Sequence, residues 1–145
     1  MSPDKHILSG IVLGTGAYIV TKDITLAGAS ALSAFMCDVD HILEYAVYCS
    51  RYKVKPSRKE FFSGSYFETK DRIVILFHGY EYLLIMLILA ILTHNLLVIG
   101  ILLGYTLHMI LDTIGNDCTF LGYCIIYRLK VKFKLDKICV KGKRR

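Results

Sequence analysis

Residues 96–115 read LLVIGILLGYTLHMILDTIG, a run with one acidic residue and no basic one. At 1.5 Å rise per residue, a helix of this length is about 30 Å long, the thickness of a bilayer's hydrocarbon core. Gly100 and Gly104 stand four apart, so another helix backbone can approach closely, the usual device for packing helices in lipid. His108 and Asp112 repeat the same spacing and place two ligand-type side chains on one helix face. Both sit in an apolar setting, where a bare ionisable group is expensive. One segment thus makes a statement about fold and a statement about chemistry.

The same pattern recurs along the chain. Residues 7–20, 24–37 and 73–92 are apolar, with Gly10-x-x-x-Gly14 in the first and Ala27-x-x-x-Ala31 in the second. Thr21-Lys22-Asp23 and Thr93-His94-Asn95 are too short for anything but tight turns, which makes two helical hairpins. The chain has 145 residues, two prolines and 54% hydrophobic residues, against about 45–50% in an ordinary soluble domain; its mean hydropathy is +0.49. The expected fold is all-α: a polytopic membrane four-helix bundle over residues 1–127, followed by a basic tail, 128–145. The competing expectation is a soluble helical protein with an apolar core, because the strictly uncharged runs stop short of the ~18 residues of a firm membrane span. The five cysteines are odd in number and show no Cys-x-x-Cys pair, so reduced thiols are expected rather than a disulfide framework.

Charge sets the orientation. Residues 51–72 hold seven basic and three acidic residues, and 128–145 hold nine basic residues against Asp136. Basic short loops stay on the cytoplasmic side, so an inner-membrane protein with both termini in the cytoplasm follows. Within 51–72, a short interfacial helix would carry Phe61, Phe62, Tyr66 and Phe67. Leu129–Leu135 alternates basic and apolar residues and reads as a strand or an amphipathic surface segment. Tyr45, Tyr48, Tyr80, Tyr82 and Tyr105 read as interfacial anchors and packing.

This topology collects the scattered polar residues. His6 lies 16 residues before Lys22 in the first outer turn, with Asp38 and His41 16 and 19 beyond it. His78 lies 16 before His94 in the second, with His108 and Asp112 14 and 18 beyond it. Helical rise puts all of them roughly 20–30 Å from the outer turns, near one plane at the cytoplasmic boundary. The candidate metal ligands are therefore His6, Asp38, Asp40, His41, His78, His108 and Asp112, and Glu81, at i+3 from His78, is the candidate base. Imidazole with carboxylate suits zinc, then manganese or iron. Seven ligands exceed the three of a mononuclear catalytic zinc site, so one or two divalent ions are expected. Other roles stay open: His6 as an interfacial residue, Asp38 as a helix-terminating carboxylate, Glu81 as a partner of Arg72.

On these residues the chain resembles the bacterial and archaeal family of inner-membrane-associated, metal-dependent hydrolases. That family carries an N-terminal His, an Asp-x-Asp-His segment, a central His and a late His-x-x-x-Asp, matched here by His6, Asp38 to His41, His78, and His108 with Asp112. The likeness covers most of residues 1–127. It departs around Leu76-Phe77-His78-Gly79-Tyr80-Glu81, where many members read His-Arg before Thr-His-Ser. The resemblance implies hydrolysis by metal-activated water. Zinc phospholipase C carries a similar donor set on helices, which by analogy makes an ester or phosphoester, such as a lipid headgroup, the expected substrate. The basic loop and tail would hold an anionic lipid or the anionic leaflet.

Rival readings differ in what they require. Lipid phosphatases also end in His-x-x-x-Asp, but their Ser-Arg and Pro-Ser-Gly-His segments are absent, and so is the adjacent His-Asp of a soluble HD phosphohydrolase. A non-catalytic membrane protein, a divalent-metal carrier or a scaffold, is the alternative; a carrier calls for ligands near mid-bilayer rather than at one face. No nucleic-acid partner is expected, because the basic tail holds no binding motif.

Overall fold

Both tight turns are built alike. Helix α1 (Pro3–Thr21) stops where Lys22 takes a left-handed φ of 56°, and Asp23 then caps α2 (Ile24–Met36) by accepting the Leu26 N–H at 2.8 Å. Further along, α3 (Val39–Tyr52), α4 (Arg58–Ser63) and α5 (Ser65–Lys70) lead to α6 (Tyr80–Thr93). There His94, φ 49°, ends α6, and Asn95 caps α7 (Leu96–Gly115) through the Leu97 N–H at 2.8 Å. An Asx side chain satisfies one of the amide groups a helix start leaves open. A 3-10 turn (Phe120–Tyr123), α8 (Ile125–Lys130) and α9 (Leu135–Ile138) complete the chain.

This computed structural model describes residues 3–139, so the expected basic end at Lys141, Lys143, Arg144 and Arg145 lies outside the described residues. Among the described residues the chain is helical, without strands, in line with the all-α expectation. The described residues form two compact units, 3–37 with 79–116 and 38–78 with 117–139. The boundary expected after residue 127 falls inside α8.

In the first unit α2 packs against α1 and α7, and α6 packs against α7. Small residues make this possible. A Cβ at Gly10 would stand 2.7 Å from the Ala31 carbonyl oxygen, one at Gly14 2.8 Å from that of Ala27, and one at Gly100 2.7 Å from that of Leu26. A Cβ at Gly104 would run into the Ser30 carbonyl and the Ser33 hydroxyl, whereas Gly28 has open space. Gly104→Ala is therefore expected to cost about 1–3 kcal/mol through forced separation of α2 and α7. Gly28→Ala should be neutral or stabilising by about 0.5–1 kcal/mol, since only the helix-propensity gain remains. Thermal unfolding in detergent reads both; equal effects would show that the close approach does not limit stability.

The outward faces of this unit are apolar. Helix α6 buries only Ala90 and exposes Leu84 (61%) and Leu92 (73%), while α1 exposes Val12 and Val20. Monomeric soluble proteins rarely leave so much contiguous apolar surface uncovered. Two segments, Ile24–Tyr52 and Leu96–Gly115, are long and apolar enough to cross a membrane; Tyr80–Thr93 is apolar but shorter. The expectation of four spanning helices therefore narrows to two by length and composition. Asp4, Lys5 and His6 lower the hydropathy of α1, and α6 begins at Tyr80 instead of Ile73.

That late start has a visible cause in the second unit. The backbone N–H groups of Ile73, Val74 and Phe77 donate to the Phe133 carbonyl (3.0 Å), the Glu44 carboxylate (2.6 Å) and the Asp40 carboxylate (2.8 Å). The first two would be open at any helix start, but the Phe77 N–H, which a helix begun at Ile73 would aim at the Ile73 carbonyl, goes to Asp40 instead. His78 consequently precedes the helix that carries Glu81, so the two do not share one helix as expected.

Tyr45, Tyr48, Tyr66, Phe67, Ile73, Ile75, Leu135 and Ile138 belong to the core of this unit. Tyr45 and Tyr48 donate to the two oxygens of the Glu60 carboxylate at 2.8 and 3.0 Å, so they are packing residues. The expected helix of the basic loop is present as two short ones, with Tyr66 and Phe67 buried and Phe62 exposed. Part of the expected tail is core as well. Arg128 is buried and donates to the carbonyls of Gly122 and Ile75, and Leu135 reaches the Asp71 carbonyl through its N–H at 3.1 Å. The expectation of reduced thiols is corrected at one pair: Cys118 and Cys139 form a disulfide beside the Thr119 N–H to Ile138 carbonyl bond.

Candidate metal centre

Candidate donors occur in both units. In the first, α1 supplies His6 and α7 supplies His108 and Asp112, all buried, with 0%, 0% and 2% exposure. The His6 and His108 rings stack with centroids 4.1 Å apart. His108 Nδ1 lies 2.8 Å from the Ala34 carbonyl oxygen. A carbonyl only accepts, so Nδ1 carries the proton and the lone pair of the neutral ring is on Nε2, which faces Asp112 at 3.7 Å. His6 Nε2 is 3.0 Å from Asp112, and His6 Nδ1, buried, meets no hydrogen-bond partner among the described residues.

In the second unit, the start of α3 and the segment before α6 supply Asp38, His41 and His78. Their donor atoms all lie within 4.8 Å of one another. His78 Nδ1 is 3.2 Å from the Asp40 carboxylate and His78 Nε2 is 3.6 Å from Asp38. His41 Nε2 is 3.9 Å from Asp38, and the His41 and His78 rings meet edge to face at 5.0 Å. Distances of 3.6–3.9 Å are too long for hydrogen bonds. They are close to the spacing, about 3.4 Å, between two ligands on one tetrahedral ion bound at 2.0–2.2 Å.

The geometry separates the roles of the two acids. Asp38 belongs to the donor group, whereas Asp40 holds the far nitrogen of His78 and the Phe77 N–H. A carboxylate behind a histidine fixes tautomer and ring orientation and raises ligand basicity. Glu81 is half-buried in the first turn of α6 and belongs to none of the donor groups found among the described residues. His94 is a turn residue with no site role.

Glu44 was not legible as a site residue. It lies one turn after Asp40, 7% exposed, with one oxygen 2.5 Å from Lys70 and the other without a partner among the described residues. Its only signal in the sequence is the i, i+4 spacing to Asp40 on an amphipathic helix. Tyr66 is buried beneath this pair; burial first, then the Glu44 and Asp40 charges, push its phenol above the usual range, so it stays neutral. In the first unit, the Tyr105 hydroxyl bonds both the N–H and the carbonyl of Gly79, at 3.0 and 2.8 Å, fixing the chain next to His78.

The donor sets suit a divalent ion. They are imidazole and carboxylate without thiolate, and they include a buried imidazole nitrogen, His6 Nδ1, that meets no hydrogen-bond partner among the described residues. No family model matches the chain, and no curated protein and no solved structure matches it either.

Proposed function

We propose that this chain is a membrane-embedded, metal-dependent hydrolase that cleaves an ester or phosphoester at the cytoplasmic face of the inner membrane. In this reading the four helices of the first unit lie in the bilayer and zinc, or else manganese or iron, is the ion, as one or two equivalents. The observation that carries the reading is the paired histidine arrangement. His108 and His78 each engage an acceptor through Nδ1 and turn Nε2 toward a carboxylate, Asp112 and Asp38. Packing alone has no use for that orientation, and metal ligation requires it. The motif likeness to inner-membrane hydrolases and the apolar outer faces of α1 and α6 support the membrane part.

Bound there, a divalent ion supplies a Lewis acid that polarises the scissile oxygen and lowers the pKa of water. The chain's own contributions are distinct. His6, His108 and Asp112 of the first unit and Asp38, His41 and His78 of the second would be the residues that hold metal, Asp40 would orient His78, and Glu81 would take the proton from water. Glu81→Gln is therefore expected to retain metal while hydrolysis of a generic phosphodiester or of phospholipid falls about 10²–10⁴-fold. Undiminished turnover in that variant removes Glu81 from the base role, and wild-type protein that binds metal without turning over any ester favours the carrier or scaffold reading.

One observation favours a second reading of the orientation. Disulfides persist in oxidising compartments, intracellular proteins of hyperthermophiles being the exception, so the Cys118–Cys139 bond favours placing residues 117–139 on the oxidising side. Labelling lysines of intact cells with an impermeant reagent separates the two: protection of Lys130 and Lys137 supports the cytoplasmic placement.

A further inference from the structure

A cavity of about 570 Å³ lies within the second unit, apart from the Asp38–His41–His78 group but sharing Asp40 with its support. Its lining is sorted by chemistry. Leu43, Val47, Val74, Leu76 and Phe77 are apolar; Arg51, Lys70 and Arg72 are basic; Asp40 and Glu44 are acidic. Lys70 is engaged by Glu44, whereas Arg51 and Arg72 are exposed and form no ion pair among the described residues. Asp40 Oδ1 and Glu44 Oε2, on residues only 6% and 7% exposed, meet no hydrogen-bond donor among the described residues.

Each part asks for a different portion of one ligand. Two unpaired guanidinium groups suit a phosphate, which arginine binds through a planar fork of donors. Buried acceptors left open are costly and call for hydroxyl donors. Apolar walls call for hydrocarbon, and the volume is that of a small-molecule site. We infer that this cavity binds a phospholipid whose headgroup bears free hydroxyls, with its phosphate at Arg51 and Arg72, its hydroxyls at Asp40 and Glu44, and the start of an acyl chain along Leu43, Val47 and Phe77. That this lipid is the substrate rests on the hydrolase reading above; that it binds does not.

The test uses the full chain in detergent with its metal retained, in the cold, and each probe is recovered and checked intact so that binding is read without turnover. The probes are short-chain phosphatidylglycerol, phosphatidylcholine with the same tails, and glycerol 1-phosphate. Phosphatidylglycerol should bind at least ~10-fold tighter than either comparator, a difference of about 1.4 kcal/mol. The double variant Arg51→Gln/Arg72→Gln should lose ~10-fold or more. Val47→Trp, at an exposed wall position whose change leaves the core intact, should lose as much by filling the space. Equal affinity for the two lipids, glycerol 1-phosphate binding as tightly as the lipid, or wild-type affinity in Val47→Trp would each overturn the inference. Tight, selective binding by a protein that hydrolyses no ester leaves this inference standing and removes only the hydrolase reading.

Discussion

His108→Ala is expected to strip the first unit's donor set of its metal and to reduce hydrolysis to background. The ring is fully buried, its tautomer is set by the Ala34 carbonyl, and Asp112 sits one turn away, so alanine removes a ligand that nothing nearby replaces. His78→Ala tests the second set in the same way. Asp40→Asn should behave differently. It spares the atoms of Asp38, His41 and His78 and changes the carboxylate behind His78 and the Phe77 N–H, so metal is retained with affinity lower by about 10–100-fold. Elemental analysis of purified variants, with a chelator competition for affinity, reads all three. Metal content in His108→Ala and His78→Ala equal to that of the wild type would remove the metal centre altogether. If each variant loses one equivalent, the sets hold separate ions.

Glu44→Ala should be the most destabilising single change in the second unit. It leaves the Lys70 ammonium, 13% exposed, and the Val74 N–H without their acceptor. Breaking a buried pair by deleting one partner costs about 3–5 kcal/mol, a large share of a typical domain's stability. A fall in melting temperature of roughly 10 °C follows at this chain length. The double variant Glu44→Gln/Lys70→Met should recover most of the loss, because two neutral groups no longer need each other. A double variant as unstable as Glu44→Ala would place the cost in packing instead of charge.

The helices of the first unit were legible because their signals are local. The apolar runs, the Asp23 and Asn95 caps and the small-residue spacings of Gly10, Gly14, Gly100 and Gly104 all lie within one or two turns of the structure they specify. The candidate ligands were legible because ionisable groups in apolar runs stand out. What could not be read was anything set by distant partners. Ile73–Leu92 has the composition of a single helix, yet Phe133 and Glu44 hold the Ile73 and Val74 amides, Asp40 takes the Phe77 amide that a helix would use, and the helix starts at Tyr80. Arg128 and Leu135 look like members of a solvated basic tail until the carbonyls of Gly122, Ile75 and Asp71 are seen around them. Cys118 and Cys139 pair across 21 residues without a motif to announce it. That Asp40 faces His78 Nδ1, 38 residues away, has no local signal either.

The hydrogen bond from His78 to Asp40 also joins the two ends of a long excursion of the chain, the stretch from Asp38 to His78 that leaves the first unit and returns. Asp38, His41 and His78 form the mouth of that loop. An ion seated there works as a clasp, and fastening a loop of some forty residues withdraws about 4 kcal/mol of freedom from the unfolded chain. Metal supply would then govern how long the protein survives, and under metal starvation the loop is where proteases would first find purchase.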